Sequence, residues 1–442
     1  MQQILHNFDH FAELVQTNSM LRLDGKVSNV VGLVIEASLP EATLGELCRI
    51  HPRNGDVIRA EIVGFRGEKV LLMPLDQTIG IAPGSRVERS PKPLSVAVGP
   101  ELLGRVIDGL GNPIDGKGPI FADKRQAVYN DPPNPLTRER IHDILPTGIR
   151  SIDGLVTIGR GQRVGIFAGS GVGKSVLLGM ISRYTEAEVN VIALIGERGR
   201  EVREFIERDL GPEGLRRSVV IVATSDQAAM VRVKGALIAT AIAEYFRDLG
   251  SDVMLLMDSL SRVAMAQREI GLAVGEPPTT KGYTPSVFAL LPRLLERAGT
   301  ARKGSITGLY TVLVEGDDMD EPISDASRAI LDGHIVLSRR LAARGQYPAI
   351  DVNESISRLR TEVVDDKQRN ESQAILEMLA DYRESEDMIN IGAYVSGSNP
   401  RVDQAIEKID AIKAFLKQDM RDSAPFQDTR SKMVEVLQGG EA

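Results

Sequence analysis

Apolar and polar positions follow three different patterns along the chain. From about Leu21 to Val98 the apolar residues fall in short β-like runs, Lys26–Val34, Asp56–Phe65 and Lys69–Met73, broken at Gly55, Gly67 and Pro83-Gly84. Short strands at this spacing predict a small barrel. A Gly/Pro-rich passage follows, Leu103–Pro113 and then Asp131–Pro135, with apolar residues interleaved, and reads as connecting turns. Further on, Arg163–Ala168, Asn190–Ile195, Val219–Ala223, Val253–Met257 and Ile306–Val314 are rich in Val, Ile and Leu without alternation. That pattern predicts parallel strands buried on both faces. Helical stretches such as Gly235–Leu249 lie between them, which gives an α/β sheet with helices on both sides. After about Ser357 the pattern is helical, with Val402, Ala405, Ile406, Ile409, Ile412, Phe415 and Leu416 on one face. At the other end Ile4, Leu5, Phe8, Phe11, Ala12 and Val15 form an apolar stripe, suited either to packing on the protein itself or to docking a partner. The expected divisions are 1–20, 21–98, 99–356 and 357–442.

Composition narrows the class of protein. The chain has 442 residues, 53 Lys+Arg against 61 Asp+Glu, and a net charge of -8. Its single cysteine, Cys48, removes any disulfide framework and any cysteine-based metal site, in keeping with a reducing compartment. Aromatic residues make up 4% and tryptophan is absent. Phe65 is the one aromatic ring of the barrel stretch, where acidic and basic residues nearly balance. Binding of single-stranded nucleic acid needs several rings and a basic groove, so no nucleic-acid partner is expected. Asp9 and Glu13 interrupt the first apolar stretch, and no basic segment precedes it, which argues against a secretory signal. No apolar run reaches the roughly 18 residues of a membrane span.

The strongest chemical signal is Ala168-Gly169-Ser170-Gly171-Val172-Gly173-Lys174-Ser175, placed after the apolar strand Val164–Phe167 and before the helical run Val176–Tyr184. This is the setting of a phosphate-binding loop. Its glycines let backbone N–H groups turn toward phosphate oxygens at a helix N-terminus. Lys174 is suited to the β- and γ-phosphates and the Ser175 hydroxyl to Mg²⁺. The first motif position holds Ala168 rather than Gly, which costs little if that residue stays extended at the strand end.

Two further strand ends carry charge. Val253–Met257 is apolar throughout and stops at Asp258, which fits a Mg²⁺–water contact and also fits a cap on the helix that follows. Ile195-Gly196-Glu197-Arg198 places Glu197 just past another apolar strand. Strand C-termini of a parallel sheet share one edge, so Glu197 and Asp258 should converge on the loop. Glu197 is then the candidate base for water, with Arg198 and Arg262 near the γ-phosphate. The alternative is a solvated ion-pair network.

Two longer motifs carry a family resemblance. Gly196–Glu201 (Gly-Glu-Arg-Gly-Arg-Glu) and Pro348–Ser357 (Pro-Ala-Ile-Asp-Val-Asn-Glu-Ser-Ile-Ser) resemble the catalytic subunits of rotary ATP synthases. Lys281–Phe288, the run Leu290–Gly299 and Val30–Ala37 are similar to the type III protein-export ATPases, the flagellar branch more than the virulence branch. The resemblance spans almost the whole chain. It implies a RecA-like P-loop core with a parallel sheet, preceded by a small β-barrel and followed by a helical domain. Within the loop, Gly169 to Val176 bind ATP with Mg²⁺, held by Ser175 and Asp258. Tyr347 matches the ring that stacks on adenine, and Arg358 the arginine finger that reaches a neighbouring subunit's site. Because Lys174, Glu197 and Arg358 occur on one chain, copies of it could complete every site as a homohexameric ring. The resemblance further implies a regulatory or stator partner at residues 1–20 and a central stalk protein in a pore lined by Gly275–Thr284. Chaperone–substrate complexes and a membrane export gate would face the C-terminal helices, at a cytoplasmic position peripheral to the inner membrane. A hexameric RNA translocase would share the core but needs an aromatic, basic barrel. A rotary synthase subunit would need a second homologous chain. A non-catalytic nucleotide-binding scaffold would not need Glu197.

Overall fold

The computed structural model describes residues 24–90, 93–314, 316 and 318–438, and the expected helix at 1–20 lies outside them. Contacts divide the chain into two compact units, one running to Leu94 and taking in Leu272–Glu276, the other comprising Ser95–Gly271 and the chain from Pro277.

In the first unit six antiparallel strands close a barrel in the order β1-β2-β5-β4-β3-β6: β1 (Gly25–Val31), β2 (Val34–Ser38), β3 (Leu47–His51), β4 (Ile58–Arg66), β5 (Lys69–Pro74) and β6 (Arg86–Ser90). Alternate residues point inward, so Val27, Ile35, Ala37, Ile50, Ile62, Leu72 and Val87 fill the interior. The barrel ends earlier than expected from the sequence. Ser95–Val98 (β7) belongs to the second unit, paired with β9 (Lys124–Ala127) in a two-stranded ribbon.

The second unit is built on one large sheet in the order β17-β16-β10-β15-β13-β11-β12-β8, with β14 (Gly299–Thr300) beside β15. Its strands are β8 (Arg105–Asp108), β10 (Arg163–Ala168), β11 (Val189–Ile195), β12 (Ser218–Ala223), β13 (Asp252–Asp258), β15 (Ser305–Leu313), β16 (Gly333–Leu337) and β17 (Ile350–Ser357). From β16 through to β8 every pairing along that order is parallel, which brings the C-terminal ends of β10, β11 and β13 to one edge. β17 alone runs the other way on this path: Leu337 faces Ile350 and Gly333 faces Ser357. It therefore starts at the edge where β10 ends and finishes at the edge where β10 begins.

Helices α1 (Lys174–Tyr184), α2 (Ala229–Asp248) and α3 (Leu260–Val274) follow β10, β12 and β13. The C-terminal stretch forms α4 (Asp366–Asn390), α5 (Pro400–Leu416) and α6 (Phe426–Gln438). These three do not build a separate core. Ile375, Met378, Ala405, Ile412, Phe415 and Met433 join Ile152, Leu155, Leu178 and Ile181 in one buried cluster, so stretches 99–356 and 357–442 form a single compact unit. Gly154 permits that contact: a Cβ there would stand 2.8 Å from the Met433 sulfur and 3.1 Å from Phe415 Cζ. Of the predicted apolar face of α5, Ile406 alone is only partly buried.

Candidate active site

β10 ends at Ala168, still in ladder register with Leu313 and Leu337, so the alanine at the first motif position sits in extended backbone and needs no glycine. The loop then turns through Gly171 and Gly173, with φ of 79° and 85°, conformations that strain any side chain. No atom lies within 4 Å of a Cβ built on Gly171, so the loop meets open space at that point. α1 begins at Lys174, so Lys174, Ser175 and Val176 are first-turn residues whose N–H groups have no helical partner.

Lys174 is drawn into the sheet edge. Its Nζ lies 2.5 Å from Asp258 Oδ1 and 3.4 Å from Glu197 Oε1. Asp258 ends β13, is nearly buried, and also accepts 2.7 Å from the Thr311 hydroxyl on β15, the strand between β10 and β13. Glu197 follows β11 by two residues, held there by hydrogen bonds from Gly196 N–H to Ala223 O and from Ser225 N–H to Glu197 O. The predicted convergence of Lys174, Glu197 and Asp258 is thus met in the fold. Burial works against the charge of Lys174, but the carboxylates of Asp258 and Glu197 outweigh it and hold the ammonium above its ordinary pKa. Burial raises the Glu197 carboxyl to about 7, the Asp258 charge adds to the rise, and Lys174 opposes it.

The two arginines differ. Arg262, in the first turn of α3, lays its side chain over Gly196, and its Nε is buried with no hydrogen-bond partner. Its aliphatic stem packs over the glycine next to Glu197, and among the described residues it forms no ion pair. Arg198 is exposed and pairs with Glu201 at 2.6 Å, an i,i+3 pair, and Glu201 in turn shares a hydrogen bond with Glu197.

Tyr347 lies on the other side of the loop, its ring carbons 3.3–3.4 Å from where a Cβ on Gly173 would be. It is half exposed and borders a cleft of about 290 Å³ lined also by Val176, Met180, Pro348, Gln418 and Met420. Gln418 N–H donates to Tyr347 O at 2.9 Å, so the segment after α5 fixes the tyrosine. Met180, Gln418 and Met420 were not read from the sequence. They carry neither charge nor ring, and residues 418–420 are brought to the loop by chain distant in sequence, through Arg150 N–H to Gln418 Oε1 and Gln418 Nε2 to Gly148 O.

Arg358 stands elsewhere. It follows β17, whose reversed direction puts it beside the start of β16, at the opposite edge of the sheet from Lys174. It is exposed and its guanidinium donates to the Arg328 carbonyl at 3.0 Å.

A glycine loop between a buried strand and a helix, with its lysine held between two strand-end carboxylates, defines a P-loop nucleotide site. The chain belongs to the ATP synthase alpha/beta family, in its type III protein-export branch. The nucleotide-binding domain of that family matches residues 148–357 and its beta-barrel domain residues 27–91, while the T3SS EscN ATPase C-terminal domain matches residues 364–435. The chain is 56% identical over 407 residues to the flagellum-specific ATP synthase of Bacillus subtilis, covering 92% of this chain and 93% of that one. It is 51% identical over 413 residues to the type 3 secretion system ATPase of Xanthomonas euvesicatoria, covering 93% of each. The solved structure of the assembled ATPase EscN in complex with its central stalk EscO, from enteropathogenic Escherichia coli, superposes with a TM-score of 0.87 at 43% identity, covering 93% of this chain and 100% of that one.

Proposed function

We propose that this protein hydrolyses ATP, with Mg²⁺, to drive the unfolding and export of flagellar proteins through a type III secretion apparatus. One observation carries the reading: Lys174 held by Glu197 and Asp258 at the open end of a P-loop. The nucleotide phosphates take the loop N–H groups and displace Lys174 toward the β- and γ-oxygens. That frees Glu197 to orient water and accept its proton, a base poised near neutral pH by burial. Arg262, packed over the neighbouring Gly196 with an unpartnered Nε, is the candidate neighbour for developing charge. Arg198, turned to Glu201, would have to swing round to take the same role.

The donor set fits a magnesium nucleotide. Among the described residues no group of three or more His, Cys, Asp or Glu side chains is placed to hold a metal. An ion here would rest on Ser175, on Asp258 through water, and on phosphate oxygens, the usual manner of Mg²⁺. Bound there, it neutralises charge building on the transferred phosphoryl group. Tyr347 and the cleft with Met180, Gln418 and Met420 suit the adenine.

Arg358 cannot serve its own chain's loop from the far edge of the sheet, and it has no carboxylate partner among the described residues. Its placement suits an arginine finger for a neighbouring copy in a homohexameric ring. The tip between α4 and α5, with Met388, Ile391 and Val395 exposed, is the surface we assign to chaperone–substrate complexes and the export gate. The stalk relation seen with EscN, the stator contact of residues 1–20 and a pore lined by Gly275–Thr284 complete the proposed assembly. Among the described residues no helix is long and apolar enough to cross a membrane, so inner-membrane association would come through those partners.

The barrel does not favour an RNA translocase: Phe65 remains its lone ring. The test is paired. The purified protein should hydrolyse ATP only with divalent cation, and a deletion strain should regain secretion of flagellar subunits with the native chain but not with Glu197→Gln. Secretion of virulence effectors instead would assign the protein to the other branch, and restoration by Glu197→Gln would refute the catalytic reading.

A further inference from the structure

The far edge of the sheet carries a second arginine that the phosphate site does not use. Arg328 lies on the helix Pro322–Ile330, where its carbonyl receives the Arg358 guanidinium. Its own guanidinium sits 3.3 Å from Asp320 and 3.4 Å from Asp325, while its Nε is buried and unpartnered. Arg358 is thereby fixed twice. Its backbone N–H donates to Asp332 O at 3.0 Å, and the Asp332 carboxylate is bound by Arg163 at the start of β10, also at 3.0 Å. The guanidinium end depends instead on helix 322–330. The segment leading into that helix is tied down as well, by Lys281 to Asp318 at 3.3 Å and by the Tyr283 hydroxyl to Glu321 at 3.4 Å. His334 lies close to both arginines: burial lowers its pKa, and the charges of Arg328 and Arg358 lower it further.

These ion pairs are poor candidates for a purely structural role. Asp320 is 93% exposed and Asp325 74%, and pairs this exposed contribute little to stability. What they can do is set direction. A long cationic side chain has about 2 kcal/mol of rotamer entropy to lose, and a finger whose guanidinium is already aimed loses less on reaching its target.

We propose that Arg328 is a positioning residue for Arg358: its pairs with Asp320 and Asp325 set the orientation of the helix turn whose Arg328 carbonyl aims the finger at the neighbouring copy's phosphate. This rests on the reading of Arg358 as a finger acting between copies. The experiment compares Arg328→Ala, Arg328→Lys, Asp320→Asn/Asp325→Asn, Arg358→Ala and the double variant Arg328→Ala/Arg358→Ala in the full chain. Turnover, ATP affinity and thermal midpoint are measured for each. Misaiming should lower kcat roughly 10- to 100-fold in Arg328→Ala and in the paired Asn variant, with affinity and midpoint unchanged. Arg328→Lys should recover part of the loss, and in the Arg358→Ala background Arg328→Ala should cost nothing further. Full turnover in both Arg328→Ala and the paired Asn variant, with Arg358→Ala inactive, would overturn the positioning role and leave the finger standing. Additive losses in the double variant would also overturn it. Full turnover in Arg358→Ala would remove the finger itself, and this proposal with it. If Arg328→Ala does not fold, the paired Asn variant, which keeps the arginine, decides alone.

Discussion

Lys174 and Arg358 lie at opposite edges of the same sheet. Lys174 opens the helix after β10, and Arg358 closes β17, which runs against β16 with Ser357 facing Gly333. Roughly 15 Å of strand separates those edges. Each chain therefore carries its P-loop at one edge and, at the other, an arginine whose guanidinium rests on the Arg328 carbonyl and meets no carboxylate among the described residues.

Lys174 and Glu197 should fail differently. Lys174→Ala leaves Glu197 and Asp258 facing each other without the cation that holds them, and removes a phosphate contact. Nucleotide binding and turnover should both be lost. Glu197→Gln keeps the shape but not the base, so fluorescent-nucleotide titration should show binding retained while turnover falls about 10²–10⁴-fold.

Arg358→Ala should lower turnover roughly 10³–10⁵-fold with nucleotide affinity kept. Mixed with Glu197→Gln, it should regain part of the activity, because a site then forms with Glu197 from one chain and Arg358 from the other. Steady-state hydrolysis over a series of mixing ratios measures this, and a flat, inactive series would contradict action between copies.

The pH dependence follows from Glu197. Its carboxyl is raised to about 7, so it is protonated and unable to accept a proton below that value. The kcat/KM profile, which reports the free enzyme, should rise with pH through about 7 and then level. An acid limb near 4.5, where an ordinary glutamate titrates, would mean that the carboxyl acting as base is not the raised one.

Tyr347→Ala should weaken ATP binding by roughly 1–3 kcal/mol, the range for loss of a ring stacked on a base, and raise KM with little change in kcat. Tyr347→Trp should keep affinity and introduce the sole tryptophan of the chain, so that adenine binding quenches an otherwise empty emission channel. Unchanged emission on saturation with ATP would move the adenine elsewhere.

Much of this arrangement can be read from residue order because the governing rules are local. Unalternating Val, Ile and Leu mark β10, β11, β12, β13 and β15 to within a residue or two, and a parallel sheet then forces Glu197 and Asp258 to one edge. Direction is another matter. The stretch Ile350–Ser357 reads as a motif, but nothing in it says that β17 runs antiparallel to β16, and that reversal alone decides which edge receives Arg358. Ser95–Val98 alternates like a barrel strand, yet its partner is Lys124–Ala127, a pairing set by distant chain. The cleft beside Tyr347 escaped for a similar reason. Met180 and Met420 are unremarkable apolar residues far apart in sequence, and it is the Arg183 guanidinium of α1, donating to the Met420 carbonyl, that ties the second to the helix of the first. Arg198 shows the limit of proximity in sequence: one residue from Glu197, it pairs with Glu201 instead.

The reversal of β17 also has a genetic consequence. A chain that keeps its own loop but lacks Arg358 would spare its own site and silence the one next to it. Expressed beside native chains, such an allele should be dominant, and its harm should reach beyond its share of the subunits. A chain lacking Tyr347 would damage only itself and should behave as recessive.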